Sequence, residues 1–123
     1  MEHEESNIQK SSVKWFYAQY PKYAPLLWAI PNGGRRDKKT GKWLKLEGVR
    51  RGASDMVLYI PSENYHCLHI EFKSAKGRQT PEQKQMQRLL EEKGYKYIIC
   101  RSFDEFEKEI NNYLQEKYKF KNK

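Results

Sequence analysis

The 123-residue chain has only two cysteines and three histidines, with no Cys-x-x-Cys pair. That supply argues against a zinc site. Cys67 and Cys100 both fall in predicted strands, so they read as buried free thiols in a reducing compartment. Long apolar runs are missing too. The longest uncharged stretch, Tyr23 to Gly34, is broken by Pro and Gly and is too short for a bilayer, which needs about 20 apolar residues. The N-terminus, Met-Glu-His-Glu-Glu, lacks the positive start of a secretory signal. The expected location is therefore the cytoplasm. There is no internal repeat, and the length suits one domain over residues 1–123. Acidic residues are scarce beside basic ones, 16 against 24, leaving a net charge of +8. This balance favours polyanionic partners, nucleic acid first. Mean hydropathy is low at −1.05, yet 14% of residues are aromatic, which favours a packed fold over disorder.

The chain is organised around Gly48 to Lys73. Residues 55 to 60 (DMVLYI) and 66 to 72 (HCLHIEF) flank Pro-Ser-Glu-Asn and read as strand, turn and strand. Side chains alternate faces along a strand. Met56, Leu58, Ile60, Leu68, Ile70 and Phe72 are all apolar, whereas the odd positions Asp55, Val57, Tyr59, Cys67, His69, Glu71 and Lys73 are mixed or charged. Placing the even residues on one face requires paired residue numbers to sum to an even number, because a slip of one would flip a strand. If Ile60 pairs with His66, the sum is 126 and Asp55 sits opposite Glu71. Directly opposed Cβ atoms lie about 4.5–5.5 Å apart. Carboxylates that close repel unless one holds a proton or a cation lies between them. Oxygen ligands with room for water suit Mg²⁺. Lys73, two residues past Glu71, points to the same side. The plain alternative is a surface hairpin with a Glu71–Lys73 salt bridge. It leaves the Asp at the strand start and the shared parity unexplained.

The rest of the chain supplies helices and basic charge. Residues 5 to about 20 read as a helix opened by a Ser6–Gln9 capping box and ended by Pro21. Ile8, Ser12, Trp15, Phe16 and Gln19 form one face. Leu26 to Ile30 reads as a central strand running into Pro31-Asn32-Gly33-Gly34. Those glycines either make a turn or let the backbone approach a phosphate; both readings stand. Residues 35 to 51 hold Arg35, Arg36, Lys38, Lys39, Lys42, Lys45, Arg50 and Arg51 against Asp37 and Glu47. Beside a metal site such a run contacts phosphates, and Trp43 is either a stacking or a packing residue. Thr80-Pro81-Glu82-Gln83 carries N-cap, Pro and capping-box signals for a second helix. Its buried stripe is expected at Met86, Leu89 and Leu90, and its stop at Gly94. Tyr95 to Cys100 is an apolar strand. Ser102 to Glu105 opens a last helix, and residues 117 to 123 form a basic tail. The order α-β-β-β-α-β-α gives an α/β fold, a four-stranded mixed sheet flanked by helices.

Asp55 with Glu71-Phe72-Lys73 resembles the PD-(D/E)XK nuclease signature, and the wider pattern is similar to the VRR-NUC (virus-type replication-repair nuclease) family. The matching pieces are Glu5-x-x-Ile8-Gln9, Pro31 to Gly34, Gly48 to Asp55, Glu71 to Lys73 and Gly77…Thr80-Pro81-Glu82-Gln83. They run in family order over nearly the whole chain. Ser54 stands where the signature usually has Pro, a residue that shapes the turn and is not a ligand. The resemblance implies a restriction-endonuclease-like core and a Mg²⁺- or Mn²⁺-dependent DNA endonuclease of a bacterium or a phage-infected host. Its expected substrates are branched or junction DNA, Holliday junctions included, in replication, repair or recombination. The implied metal ligands are Asp55, Glu71 and the Phe72 backbone carbonyl, with Glu5 (or its neighbour Glu4) approaching from the first helix. Lys73 is implied to orient the attacking water or neutralise phosphorane charge, and Gln83 to act near the scissile phosphate, besides its capping role. Arg35, Arg36, Lys38, Lys39, Lys45, Arg50, Arg51, Gly33 and Gly34 are the expected nucleic-acid contacts. Cutting both strands needs two sites, so a homodimer is expected. Trp15, Tyr17, Tyr20, Tyr23 and Trp28 offer either its interface or extra core. The rival readings are a catalytically inactive nucleic-acid-binding module of the same fold and an RNA-directed nuclease.

Overall fold

The computed structural model describes residues 2–31 and 45–115. The predicted turn glycines Gly33 and Gly34, the basic residues Arg35, Arg36, Lys38 and Lys39, Trp43 and the basic tail lie outside the described residues. The elements are helix α1 (Glu2–Gln19), a 3-10 turn (Pro21–Leu26), strands β1 (Leu27–Ala29), β2 (Met56–Leu58) and β3 (Leu68–Phe72), helix α2 (Pro81–Glu92), strand β4 (Lys96–Cys100) and helix α3 (Phe103–Leu114). They build an α/β fold with a four-stranded mixed sheet in the order β1-β2-β3-β4. β1–β2 and β2–β3 are antiparallel, and β3–β4 is parallel. A parallel pair needs a crossover, and α2 supplies it.

The register follows the parity of the apolar residues. Met56 pairs with Ile70 and Leu58 with Leu68, the predicted sum of 126. Met56, Leu58, Leu68, Ile70 and Phe72 are buried and form the core with Phe16 of α1 and Phe106, Ile110 and Tyr113 of α3. A one-residue slip would send that apolar set to the other side. The strands are shorter than the sequence pattern suggests, because residues 59 to 67 leave the ladder. Ser62 N–H donates to the Tyr65 carbonyl at 2.9 Å, and Tyr65 N–H donates to Ser62 Oγ at 3.1 Å.

Three expectations are corrected, and one open alternative is narrowed. α1 begins at Glu2, not at residue 5 or 6. Its acidic first turn suits the positive helix end, so the Ser6–Gln9 pattern lies inside the helix. β1 is an edge strand, not a central one. Trp28 on it is 57% exposed and packs edge-on against Tyr59. No residue of α2 is buried; Leu89 is 46% exposed. Finally, the early aromatics do not act as one surface. Trp15 packs edge-on against Phe103 and Phe106, and Tyr20 donates its hydroxyl to Asn111 Oδ1. Both therefore belong to the α1–α3 packing, and only Tyr17, Tyr23 and Trp28 are exposed.

The caps fix where the helices stop. Thr80 Oγ1 accepts from Gln83 N–H and Gln83 Oε1 accepts from Thr80 N–H, a complete capping box. At the far end Tyr95 N–H reaches the Leu90 carbonyl and Gly94 N–H the Glu91 carbonyl, with Gly94 at φ +94°. That is the Schellman arrangement. Both cysteines are free and buried. No helix among the described residues is long and apolar enough to cross a membrane.

Candidate active site

The odd face of β3 carries the candidate chemistry. Glu71 is 0% exposed, and a buried carboxylate is costly unless its lone pairs find partners. Its Oε1 takes the hydroxyl of Tyr97 at 2.5 Å and the amide of Gln79 at 3.0 Å. Gln79 also donates to Gln87 Oε1 of α2 at 2.9 Å. Burial, then the bond to Glu71, pushes the Tyr97 phenol far above its ordinary range, so it stays a donor at working pH. Glu71 Oε2 is treated differently. It has no hydrogen bond, only the Lys73 ammonium 3.6 Å away. Lys73 is itself buried. Two donors therefore fix one oxygen and leave the other bare beside a cation.

Asp55 sits just before β2, outside the paired residues of the β2–β3 ladder, with its N–H on the Ile70 carbonyl at 2.9 Å. Its Oδ2 accepts from Phe72 N–H at 2.7 Å, which ties it to the end of β3. Burial raises the Asp55 carboxyl to about 6; the Phe72 bond lowers it, and nearby Glu71 and Glu5 raise it further. The preceding turn is tightly constrained. Gly52 has φ +91°, and a Cβ there would lie 2.7 Å from the Glu82 carbonyl oxygen. Only glycine allows both the left-handed backbone and that approach. Ser54 is buried and its hydroxyl is satisfied, at 3.3 Å from the Met56 carbonyl and 2.8 Å from His69 Nδ1. That explains how Ser is tolerated where the signature usually has Pro.

Glu5 reaches the site from α1. Its Oε2 accepts from Ser74 N–H at 3.2 Å. The loop after Lys73 is clamped by Arg101, whose Nη1 donates to the carbonyls of Ser74 at 2.8 Å and Gly77 at 2.7 Å. Glu4 is exposed, whereas it is the Glu5 carboxylate that meets Ser74 N–H. Gln83 spends its side chain in the capping box; the glutamine that touches Glu71 is Gln79.

The basic residues divide between two concavities. Lys45, Arg50 and Arg51 line a groove against Glu82, Met86 and Leu89 of α2, and its lining includes none of Glu5, Asp55, Glu71 or Lys73. A second cleft contains Asp55 and Phe72 with Glu5, and its α1 wall carries Lys10, Lys14 and Tyr17. Sequence reasoning missed Tyr97, Gln79 and Arg101. For Tyr97 a signal existed, since a buried tyrosine hydroxyl needs a partner.

The chain as a whole is similar to known proteins. A family model described as the VRR-NUC domain matches residues 3–104. The chain belongs to the VRR-NUC family. A solved structure titled "VRR_NUC domain protein" superposes with a TM-score of 0.80 at 25% identity, covering 94% of this chain and 90% of the other. No curated protein matches. Membership makes this chain a VRR-NUC nuclease domain, with the PD-(D/E)XK-like sheet already described.

The VRR-NUC site can be tested for a metal on its own donors. Among the described residues no three His, Cys, Asp or Glu side chains cluster as a ready-made metal cage. What the site offers is a bare buried Glu71 oxygen and the Asp55 carboxylate. All-oxygen donors in small number fit Mg²⁺, which keeps several waters and needs no protein cage.

Proposed function

We propose that this VRR-NUC domain is a Mg²⁺- or Mn²⁺-dependent DNA endonuclease selective for branched or junction DNA. The observation that carries the reading is Glu71: fully buried, with Oε1 doubly bonded and Oε2 left without a hydrogen bond. Such an oxygen is costly in the empty protein, and a cation satisfies it.

Asp55, Glu71 and the Phe72 carbonyl would hold the ion, with Glu5 nearby. A bound divalent ion supplies Lewis acidity at the phosphate and eases deprotonation of water. The chain's own groups do the rest. Tyr97 and Gln79 keep Glu71 in one orientation. Lys73 holds positive charge where the phosphorane oxygens gain negative charge. Phe72 N–H fixes the Asp55 carboxylate. Cutting both strands in one encounter calls for two such sites, and a two-fold dimer supplies them.

The test is a cleavage panel of duplex, nicked, flap and four-way DNA, with RNA alongside, in Mg²⁺ and in Mn²⁺. We expect branched DNA to be cut, and Asp55→Ala or Glu71→Ala to lower the rate at least roughly a thousandfold, as losing a group central to transition-state stabilisation does. A folded protein that cuts no DNA in either metal would overturn the reading. Preferential RNA cleavage would redirect it.

A further inference from the structure

We infer that α1 is the wall along which a single nucleic-acid strand enters the site, with phosphates on Lys10 and Lys14 and an unpaired base on Tyr17. The inference rests on the nuclease reading and names the form of substrate that the site receives.

The cleft holding Asp55 and Phe72 is about 670 Å³, and one wall of it is α1. Residues 10, 14 and 17 fall at i, i+4 and i+7, so they share one helix face. All three are exposed, and Tyr17 is 49% so. At about 1.5 Å rise per residue, Lys10 and Lys14 stand roughly 6 Å apart along the axis. That is close to the separation of successive phosphates on one strand. The same helix delivers Glu5 to the site, where its carboxylate bonds Ser74 N–H. The wall thus begins at the acidic site and turns basic, then aromatic, as it leaves.

The acidic end matters. Asp55, Glu71 and Glu5 repel a phosphodiester, so cations must flank them for one to approach. Among the described residues of the cleft lining those cations are Lys10 and Lys14. The groove of Lys45, Arg50 and Arg51 carries more charge, but Glu82 opposes it and its lining omits the site residues. Tyr17 decides the form of the strand. An exposed ring next to a cationic track is the arrangement on which unpaired bases stack. In a duplex the bases are already stacked on one another, which leaves the ring without that role. Flaps and junction arms that open at the branch offer such a strand.

The experiment is fluorescence anisotropy in EDTA with a labelled single strand and its duplex, over a salt series. Each lost phosphate contact flattens the log–log slope by about 0.7 on a single strand. Lys10→Gln with Lys14→Gln should therefore flatten it by roughly 1.4. The control pair Lys22→Gln and Lys108→Gln makes the same charge change outside that cleft and should leave the slope nearly unchanged. Tyr17→Ala should weaken single-strand binding roughly 5- to 100-fold, with duplex binding much less affected, and Tyr17→Phe should restore it. Circular dichroism confirms that each variant is folded. Equal slopes for the two lysine pairs, or equal losses on single strand and duplex for Tyr17→Ala, would overturn the inference while leaving a DNA-cutting parent intact. A parent that binds no nucleic acid at any salt removes the nuclease reading as well.

Discussion

The two carboxylates of the site are held in opposite ways. Glu71 lies in the middle of the sheet, and its partners come from β4 and the loop before α2. Asp55 lies at the rim, bonded to Phe72 N–H and lining the open cleft. Glu71's orientation is built into the empty fold. Asp55 instead carries an electrostatic cost, seen in its raised carboxyl. Folding thus fixes one oxygen of Glu71, while Asp55 keeps a cost that a proton or a cation would relieve.

The largest expected effect comes from relieving the costly half. Asp55 shifts from 3.8 to about 6, so the folded state holds its proton more tightly than the unfolded one. Below about 3.8 both states are protonated and the shift costs nothing. Stability then falls as pH rises through the window, and the loss is complete above about 6. The difference, about 2.2 units at about 1.36 kcal/mol each, sets an upper bound of about 3 kcal/mol at pH 7. Asp55→Asn keeps an acceptor for Phe72 N–H and removes the charge. In EDTA at pH 7 the variant should be more stable in urea by up to about 3 kcal/mol, and the gain should vanish near pH 3.5. Mn²⁺ should raise the melting temperature of the parent and not of the variant. Equal stability of parent and variant at pH 7 would erase the contrast between the two carboxylates.

A smaller effect tests the prebuilt half. Tyr97→Phe removes one of the two donors on Glu71 Oε1 and keeps the ring stacked on His69. A hydrogen bond to a charged group contributes about 1.5–3 kcal/mol. Loss of a residue that orients a metal ligand typically costs 10- to 100-fold in affinity. Calorimetric titration of Mn²⁺ without DNA should show such a drop. Unchanged Mn²⁺ affinity would mean that Tyr97 supports the fold and not the orientation of Glu71.

The same contrast explains what the sequence could reveal. The register of β2 on β3 was legible as an even sum because alternation has a period of two; parity alone allows any even sum, and 126 came from pairing Ile60 with His66 across the turn. Gly94 and Thr80 were legible because caps are local. Tyr97 lies 26 residues from Glu71, on a strand brought alongside by a crossover, and no local pattern announces that pairing. Arg101 was hidden for the same reason, since its partners are carbonyls that any residue presents. β1 read as central because an apolar run does not state how many neighbours it has. Its edge position follows from the order of the assembled sheet.

The smallest effect separates two glutamines four residues apart. Gln83 Oε1 takes Thr80 N–H in the capping box, whereas Gln79 Nε2 bonds Glu71. The family resemblance implies a place for Gln83 near the scissile phosphate; the contacts put Gln79 beside the Glu71 carboxylate. Gln83→Ala keeps the Thr80 hydroxyl cap but loses the reciprocal bond, so the helix start should weaken by about 0.5–1 kcal/mol. Gln79→Ala leaves the cap intact and withdraws a donor from Oε1, with Tyr97 still in place. If the geometry around Glu71 governs, Gln79→Ala should lower Mn²⁺ affinity and kcat together, whereas Gln83→Ala should lower only the melting temperature. A fall in kcat for Gln83→Ala with Mn²⁺ affinity unchanged would return Gln83 to the substrate, since a residue that meets only the phosphate does not alter ion binding in its absence. Measuring both variants for stability, ion affinity and turnover therefore decides whether the prebuilt half of the site ends at Gln79 or extends to the first turn of α2.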